Sequence, residues 1–155
     1  LGDVYKRQAE LCTDTVDLVL STDGDVPSQP QQESEAHHAA PKIFKETCAI
    51  DFSLSAKRIY DFVRGLSPVP GAWCMLTPRD AQAKAQVLKV YKAAKTGESS
   101  NGVEVGTLKA ENRRLLVATV DEWLELVELQ PAGKKRMAAR DYLNGFQHPE
   151  DFLLK

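Results

Sequence analysis

Three consecutive cations, Lys134, Lys135 and Arg136, follow a Pro131-Ala132-Gly133 turn and precede a short helical stretch ending at Asn144-Gly145. A run held between a strand end and a helix is placed more definitely than one in a solvated tail. Fixed surface cations suit a row of phosphates, because ammonium groups act as point charges that position a nucleic acid without reading its sequence. Arg140 stands one helical turn after Arg136 and either extends the patch or pairs with an acid. Arg113 and Arg114 precede an expected strand and are candidates for the same face. Lys84, Lys89, Lys92 and Lys95 form an intermittent cationic series whose default role is the outer face of a strand. For every one of these cations the bland alternative is solvated decoration.

Other chemistry finds little support. No Ser/His/Asp order, Gly-rich phosphate loop or metal-ligand spacing is present. His37-His38 has no third ligand nearby, and His148 is alone near the C-terminus. Cys12, Cys48 and Cys74 are widely spaced and odd in number, so they build neither a disulfide framework nor a Cys-x-x-Cys knuckle; reduced thiols are expected. Cys74 lies in an apolar Trp-Cys-Met run and reads as a small buried group. Trp73 and Trp123 have the faces to stack on bases, but their apolar settings favour core packing. Asp51-Phe52-Ser53 suits side-chain to backbone hydrogen bonding at a turn into a helix, so Asp51 is read as structural.

The elements that must position the cations follow from patterning. Ala9–Leu20 has partial helical spacing, closed by turn residues around Gly24. Val26–Pro41 is rich in Pro, Gln, Ser and Glu and reads as extended linker. From Ser53 a helix is expected, capped by Ser53 or Ser55, with Ile59, Phe62, Val63 and Leu66 on one face. Gly65 and the prolines at 68 and 70 end it, and Pro70-Gly71 suits a type II turn. Strands are expected over 72–76, 83–93, 106–110, 114–120 and 122–129, with 95–102 a loop and a helix over 138–144. The class is therefore mainly β with short helices (α+β): a small OB-like barrel preceded by an extended linker and one helix.

Composition sets the outer bounds. The 155 residues fit one domain, or one small domain with an appendage. Residues 1–40 carry two Lys or Arg against eight Asp or Glu, and 41–155 carry 18 against 14, so a net charge of −2 hides an acidic front and a mildly basic remainder. No run approaches the ~18 apolar residues of a membrane span, and no signal-peptide core is present. A cytoplasmic monomer with no membrane partner is the expectation. The chain starts at Leu1 without an initiator Met, and residues 1–8, LGDVYKRQ, are expected to be a non-native leader on a fragment.

Three stretches, in order, resemble the C-terminal region of the methionyl-tRNA formyltransferase family. They are PKIFKETCAIDFSLSA at 41–56, LSPVPGAW at 66–73 and LELVELQPAGKKRMAARDYLNG at 124–145. The family's Leu-Gln-Pro-x-Gly-Lys-Lys-x-Met run is the most specific of its patterns. Phe52 stands where Trp is usual and Ser67 where Asn is common; both keep bulk or turn character.

The resemblance implies that residues 9–23 are the last helix of a truncated formyltransferase domain, 24–50 a linker and 51–155 an OB-like C-terminal domain. It further implies that the parent enzyme moves a formyl group from its co-substrate 10-formyltetrahydrofolate to methionine on initiator tRNA, at the start of protein synthesis. This domain would help hold that tRNA, through Lys134, Lys135, Arg136, Arg140, Arg113 and Arg114. No residue here is assigned a catalytic, cofactor-binding or metal-binding role, so the fragment alone is expected to be inactive. Two alternatives stand beside this. One is the C-terminal domain of a related formyltransferase or formyltetrahydrofolate hydrolase acting on a non-tRNA substrate; the other is a purely structural barrel.

Overall fold

The computed structural model describes residues 2–26, 41–80 and 84–155. Most of the expected linker, 27–40, lies outside the described residues, as do His37, His38 and Ala83. Two compact units divide the chain, Leu1–Pro41 and Lys42–Lys155.

In the first unit, helix α1 spans Gly2–Ser21. It starts seven residues before the helix expected from periodicity and runs through most of the stretch set aside as a leader. It stops where Gly24, at φ 85°, returns its N–H to Val19 O at 3.0 Å.

In the second unit, helix α2 spans Ala56–Leu66, and its buried face is Ala56, Ile59, Val63 and Leu66. Such spacing is one stripe of a 3.6-residue helix, and each large side chain buried contributes roughly 1.5–3 kcal/mol. Of the two candidate caps the structure uses Ser55, whose hydroxyl accepts the Arg58 N–H at 3.4 Å. Ser53 instead serves Asp51, whose carboxylate accepts the Ser53 N–H at 2.9 Å and its hydroxyl at 2.6 Å. These bonds hold the Asp51 carboxyl below the usual carboxylate range, in keeping with a turn residue.

Seven strands make one sheet: β1 Ala72–Pro78, β2 Gln86–Ser99, β3 Leu108–Glu111, β4 Arg114–Ala118, β5 Glu122–Pro131, β6 Met137–Ala138 and β7 Phe152–Leu154. Their order is β3-β4-β5-β2-β1-β7, all antiparallel, with β6 added on β5. The two ends of that order meet. Thr107 bridges Leu153, and Leu154 donates its N–H to Gly106 O at 2.9 Å. The sheet thus curls into a nearly closed, OB-like barrel, as the α+β class expected from the sequence requires. Ala72, Cys74 and Leu76 of β1, Leu88 and Val90 of β2, and Leu124, Leu126 and Leu129 of β5 fill it, with α2 packed on β2 and β5.

Several boundaries differ from expectation. The stretch 95–102 is not all loop: β2 runs to Ser99, with Lys95 opposite Leu124 and Ser99 opposite Glu122. Register shifts between Val90 and Lys92, Lys92 and Ala93, and Lys95 and Ser99 let a polar, Gly-containing segment stay paired without simple alternation. The buried positions jump from Val90 to Ala93 for the same reason. Two strands, β6 and β7, had no counterpart in the sequence reading. Upstream of Asp51, Cys48 and Ile50 are buried in the barrel's own core, and Ile50 donates its N–H to Trp73 O at 2.8 Å. The expected helix over 138–144 is one turn, α3, Ala139–Tyr142.

Candidate nucleic-acid interface

The Lys134-Lys135-Arg136 run occupies the turn between β5 and β6. Gly133 at φ 73° lets the chain reverse, Lys134 donates its N–H to Pro131 O at 3.1 Å, and the Gln130 side-chain amide donates to Lys134 O at 2.8 Å. The turn is therefore fixed, as its sequence suggested, but its three cations do not act alike. Lys134 and Lys135 are exposed and enter no ion pair among the described residues. Arg136 turns back on the sheet. Its Nε and Nη2 each donate to a different oxygen of Glu128, both at 2.6 Å, and its guanidinium lies 4.4 Å from the Tyr91 ring centroid. That fork holds the Glu128 carboxyl below its usual range and the Arg136 guanidinium above its own. Glu128 and Ala138 are register partners, so Arg136 pins the short β6 onto β5. Its place in the run signalled a phosphate ligand; its geometry is that of a brace.

Arg113 and Arg114 also separate. Asn112 and Arg113, at φ 50° and 61°, are the central residues of a two-residue turn closed by the Glu111–Arg114 pair. Positive φ at both positions is the twist that joins antiparallel strands. Arg113 is left exposed at the tip. Arg114 falls on the sheet, 3.0 Å from Glu98 and 3.8 Å from Glu125, with its Nε buried and unpartnered. Two acids already neutralise it.

Arg140 on α3 is 71% exposed, with only a long contact of 3.7 Å to its neighbour Asp141. Arg113, Arg114 and Arg140 line one open groove of about 400 Å³, whose walls include Glu125 and Ala139. Lys134 lines a different groove, of about 450 Å³, together with Lys84, Tyr142, Phe146 and Phe152. The segment from Met137 to Phe146 contributes to both. Of the six, Lys134, Lys135, Arg113 and Arg140 are exposed, with Lys134 in one groove beside α3 and Arg113 and Arg140 in another, whereas Arg136 and Arg114 pair with acids.

Lys84, read in the sequence as part of a strand's outer face, lies just before β2 and lines the same groove as Lys134. It stands fifty positions before Lys134, and only the barrel brings them to one groove. The Tyr142 and Phe146 rings carried a readable signal in their i, i+4 spacing.

The remaining sequence candidates take structural places. The Trp73 indole N–H donates to Lys45 O at 2.8 Å. Trp123 is buried in a small outer cluster with Leu116 and Ala118, under Lys109 at 4.3 Å from its ring centroid. Burial pushes the Cys74 thiol up to about 12, which leaves it inert. His148 meets Glu150 at 3.2 Å. Among the described residues no cluster of three His, Cys, Asp or Glu could hold a metal, and no helix is long and apolar enough to cross a membrane.

A family model described as "Formyl transferase, C-terminal domain" matches residues 42–147. Among curated proteins, the methionyl-tRNA formyltransferase of Parabacteroides distasonis is 45% identical over 151 residues, covering 94% of this chain and 45% of that protein. That of Phocaeicola vulgatus is 42% identical over 144 residues, covering 89% and 43%. The corresponding protein of Flavobacterium johnsoniae is 32% identical over 152 residues, covering 97% and 47%. The chain spans about half the length of the curated relatives it matches.

Proposed function

Since this chain belongs to the formyl transferase C-terminal domain family, we propose that it is the C-terminal, tRNA-holding part of a methionyl-tRNA formyltransferase. The parent enzyme transfers a formyl group from 10-formyltetrahydrofolate to methionine carried on initiator tRNA, in the cytoplasm, and the present domain works as a monomeric module. The observation that carries this reading is the match along nearly the full chain to relatives that bear this name. The same relatives give no support to a formyltetrahydrofolate hydrolase or a formyltransferase with a non-tRNA substrate.

The geometry supports a holding role. Acyl transfer needs a base near the attacking amine and donors for the developing oxyanion. The reading assigns neither to this chain. What it assigns is a phosphate-facing surface around α3, made by Lys134 and Lys135 on one turn and Arg113 and Arg140 across the adjacent groove. Among the described residues none of these four meets a carboxylate closer than the 3.7 Å from Arg140 to Asp141, so their charge is available to phosphates. Arg114 and Arg136 hold their charge in pairs with Glu98 and Glu128 and so contribute less to that surface.

A fluorescence titration of the chain against initiator tRNA, run at low and high salt, tests this. Binding should weaken steeply with salt, and replacing both Lys134 and Lys135 by Ala should lower the slope of log K against log salt by up to about two. A barrel that serves only as scaffold would show neither binding nor any difference on substitution.

A further inference from the structure

One concavity combines free cations with aromatic rings. Its floor is a row of three half-buried rings: Tyr142 is stacked on Phe146, centroids 4.7 Å apart and planes at 22°, and Phe146 meets Phe152 at 4.9 Å and 49°. Lys84 and Lys134 stand at its mouth, both exposed and neither in an ion pair among the described residues. At about 450 Å³ the space falls within the roughly 300–1,000 Å³ of small-ligand sites.

The neighbouring concavities offer less of this combination: the one lined by Arg113 and His148 shares Phe146 but has a single arginine. The groove between Tyr60 and Tyr91 also has rings, but of its two cations Arg64 meets Asp61 at 3.3 Å, which leaves Lys92 as a single ammonium group without an ion pair among the described residues. The groove lined by Arg113 and Arg140 has charge but no aromatic ring.

We infer that the Tyr142–Phe146 groove takes one unpaired nucleotide of the bound RNA, its base against the aromatic row and its phosphate on Lys84 and Lys134. Apolar ring faces beside two ammonium groups that enter no ion pair among the described residues match the two halves of a nucleotide. Any base offers a π-face, whereas sequence-blind phosphate contacts alone need no rings. Asp141 and Gln86, which also line the groove, supply polar atoms for the base edge. The inference rests on the tRNA-holding reading and adds a place where one base leaves its stack.

The experiment is an amide NMR titration of the full 155-residue chain with adenosine monophosphate, with ribose 5-phosphate and inorganic phosphate as base-free probes. Adenosine monophosphate should shift Lys84, Gln86, Lys134 and Tyr142 together, and bind at least about 10-fold more tightly than ribose 5-phosphate, the worth of one stacked base. Phe146→Leu should remove most of that difference. Lys84→Ala, at an exposed position with no ion pair, should weaken both sugar phosphates alike while the rest of the spectrum stays unchanged. Equal responses to all three probes, or none, overturn the inference. If initiator tRNA binds while the groove ignores adenosine monophosphate, the nucleotide site falls and the tRNA reading stands. If the groove answers but tRNA does not bind, the nucleotide site stands and the tRNA reading falls.

Discussion

Asp121 and Ala56 are 65 residues apart in the chain, yet Asp121 Oδ1 accepts the Ala56 N–H at 2.8 Å. Ala56 is the first residue of α2 and Asp121 sits in the turn from β4 to β5. The same oxygen accepts the Thr119 hydroxyl at 2.8 Å and the Glu122 N–H at 2.9 Å. A barrel turn therefore caps a helix, alongside the local cap from Ser55. The bond from Ala56 leads the contacts that hold the Asp121 carboxyl below its ordinary 3.8.

Removing that carboxylate strands an amide at the helix start. Asp121→Ala should cost about 1–2 kcal/mol in urea unfolding, in the range of a lost cap. The sign with pH follows from the depressed folded-state value. The contribution is fully present above the unfolded-state pKa and disappears as pH falls through the lower folded-state one. Between pH 5 and pH 3 the unsubstituted protein should lose stability faster than Asp121→Asn; parallel curves would show that the cap is not energetically linked to protonation.

The Glu128–Arg136 fork predicts a split between stability and RNA affinity. Arg136→Ala should lower the thermal midpoint more than Lys134→Ala or Lys135→Ala, because it frees β6 and uncovers Tyr91. The ranking for tRNA affinity should be the reverse, as read by the salt dependence of binding. An Arg136→Ala protein with an unaltered midpoint would remove the brace role.

Arg113 sits at φ 61°, where a side chain costs about 1 kcal/mol relative to glycine. Arg113→Gly should therefore be neutral or stabilising by up to about 1 kcal/mol in denaturant unfolding, while tRNA binding weakens and loses part of its salt slope. A variant that binds as before would take Arg113 out of the interface.

Closure of the barrel depends on its last residues. Met75 and Lys155 exchange backbone bonds at 2.7 and 3.0 Å, and Gly106, at φ 84°, packs directly against the Leu154 carbonyl. A methyl group on Gly106 would collide with that carbonyl. Gly106→Ala should cost at least about 2 kcal/mol, combining the clash with the positive φ, whereas Gly97→Ala, which meets no neighbouring atom, should cost only the backbone strain. Equal unfolding midpoints for the two variants would contradict this.

Cysteine access is a direct test of packing. Cys12 is exposed, and Cys48 and Cys74 are buried. Under native conditions a thiol reagent should react promptly at one position, and at all three only after denaturation.

Much of the fold was legible in local pattern. The α2 stripe of Ile59, Val63 and Leu66, a cap from Ser53 or Ser55 and an apolar strand over 72–76 could each be read from neighbouring residues, because that information is local. The succession of short strands and polar turns carried the OB-like class, and Pro131-Ala132-Gly133 the turn holding Lys134 and Lys135. Sequence could not show β6 and β7, because two or three residues hold no period. It could not show β2 continuing to Ser99, because bulges shift the phase that alternation relies on.

The cationic site divides along the same line. That the Pro-Ala-Gly turn would present basic residues at the surface was settled by its own residues, through a glycine able to take positive φ and the fixed ring of proline. Which of them would be free was settled by strand register. Antiparallel pairing set Glu128 opposite Ala138 and so within reach of Arg136, set Glu98 and Glu125 about Arg114, and carried Lys84 to Lys134. An ion pair needs two groups within a few ångströms, and that distance exists only once the barrel has closed.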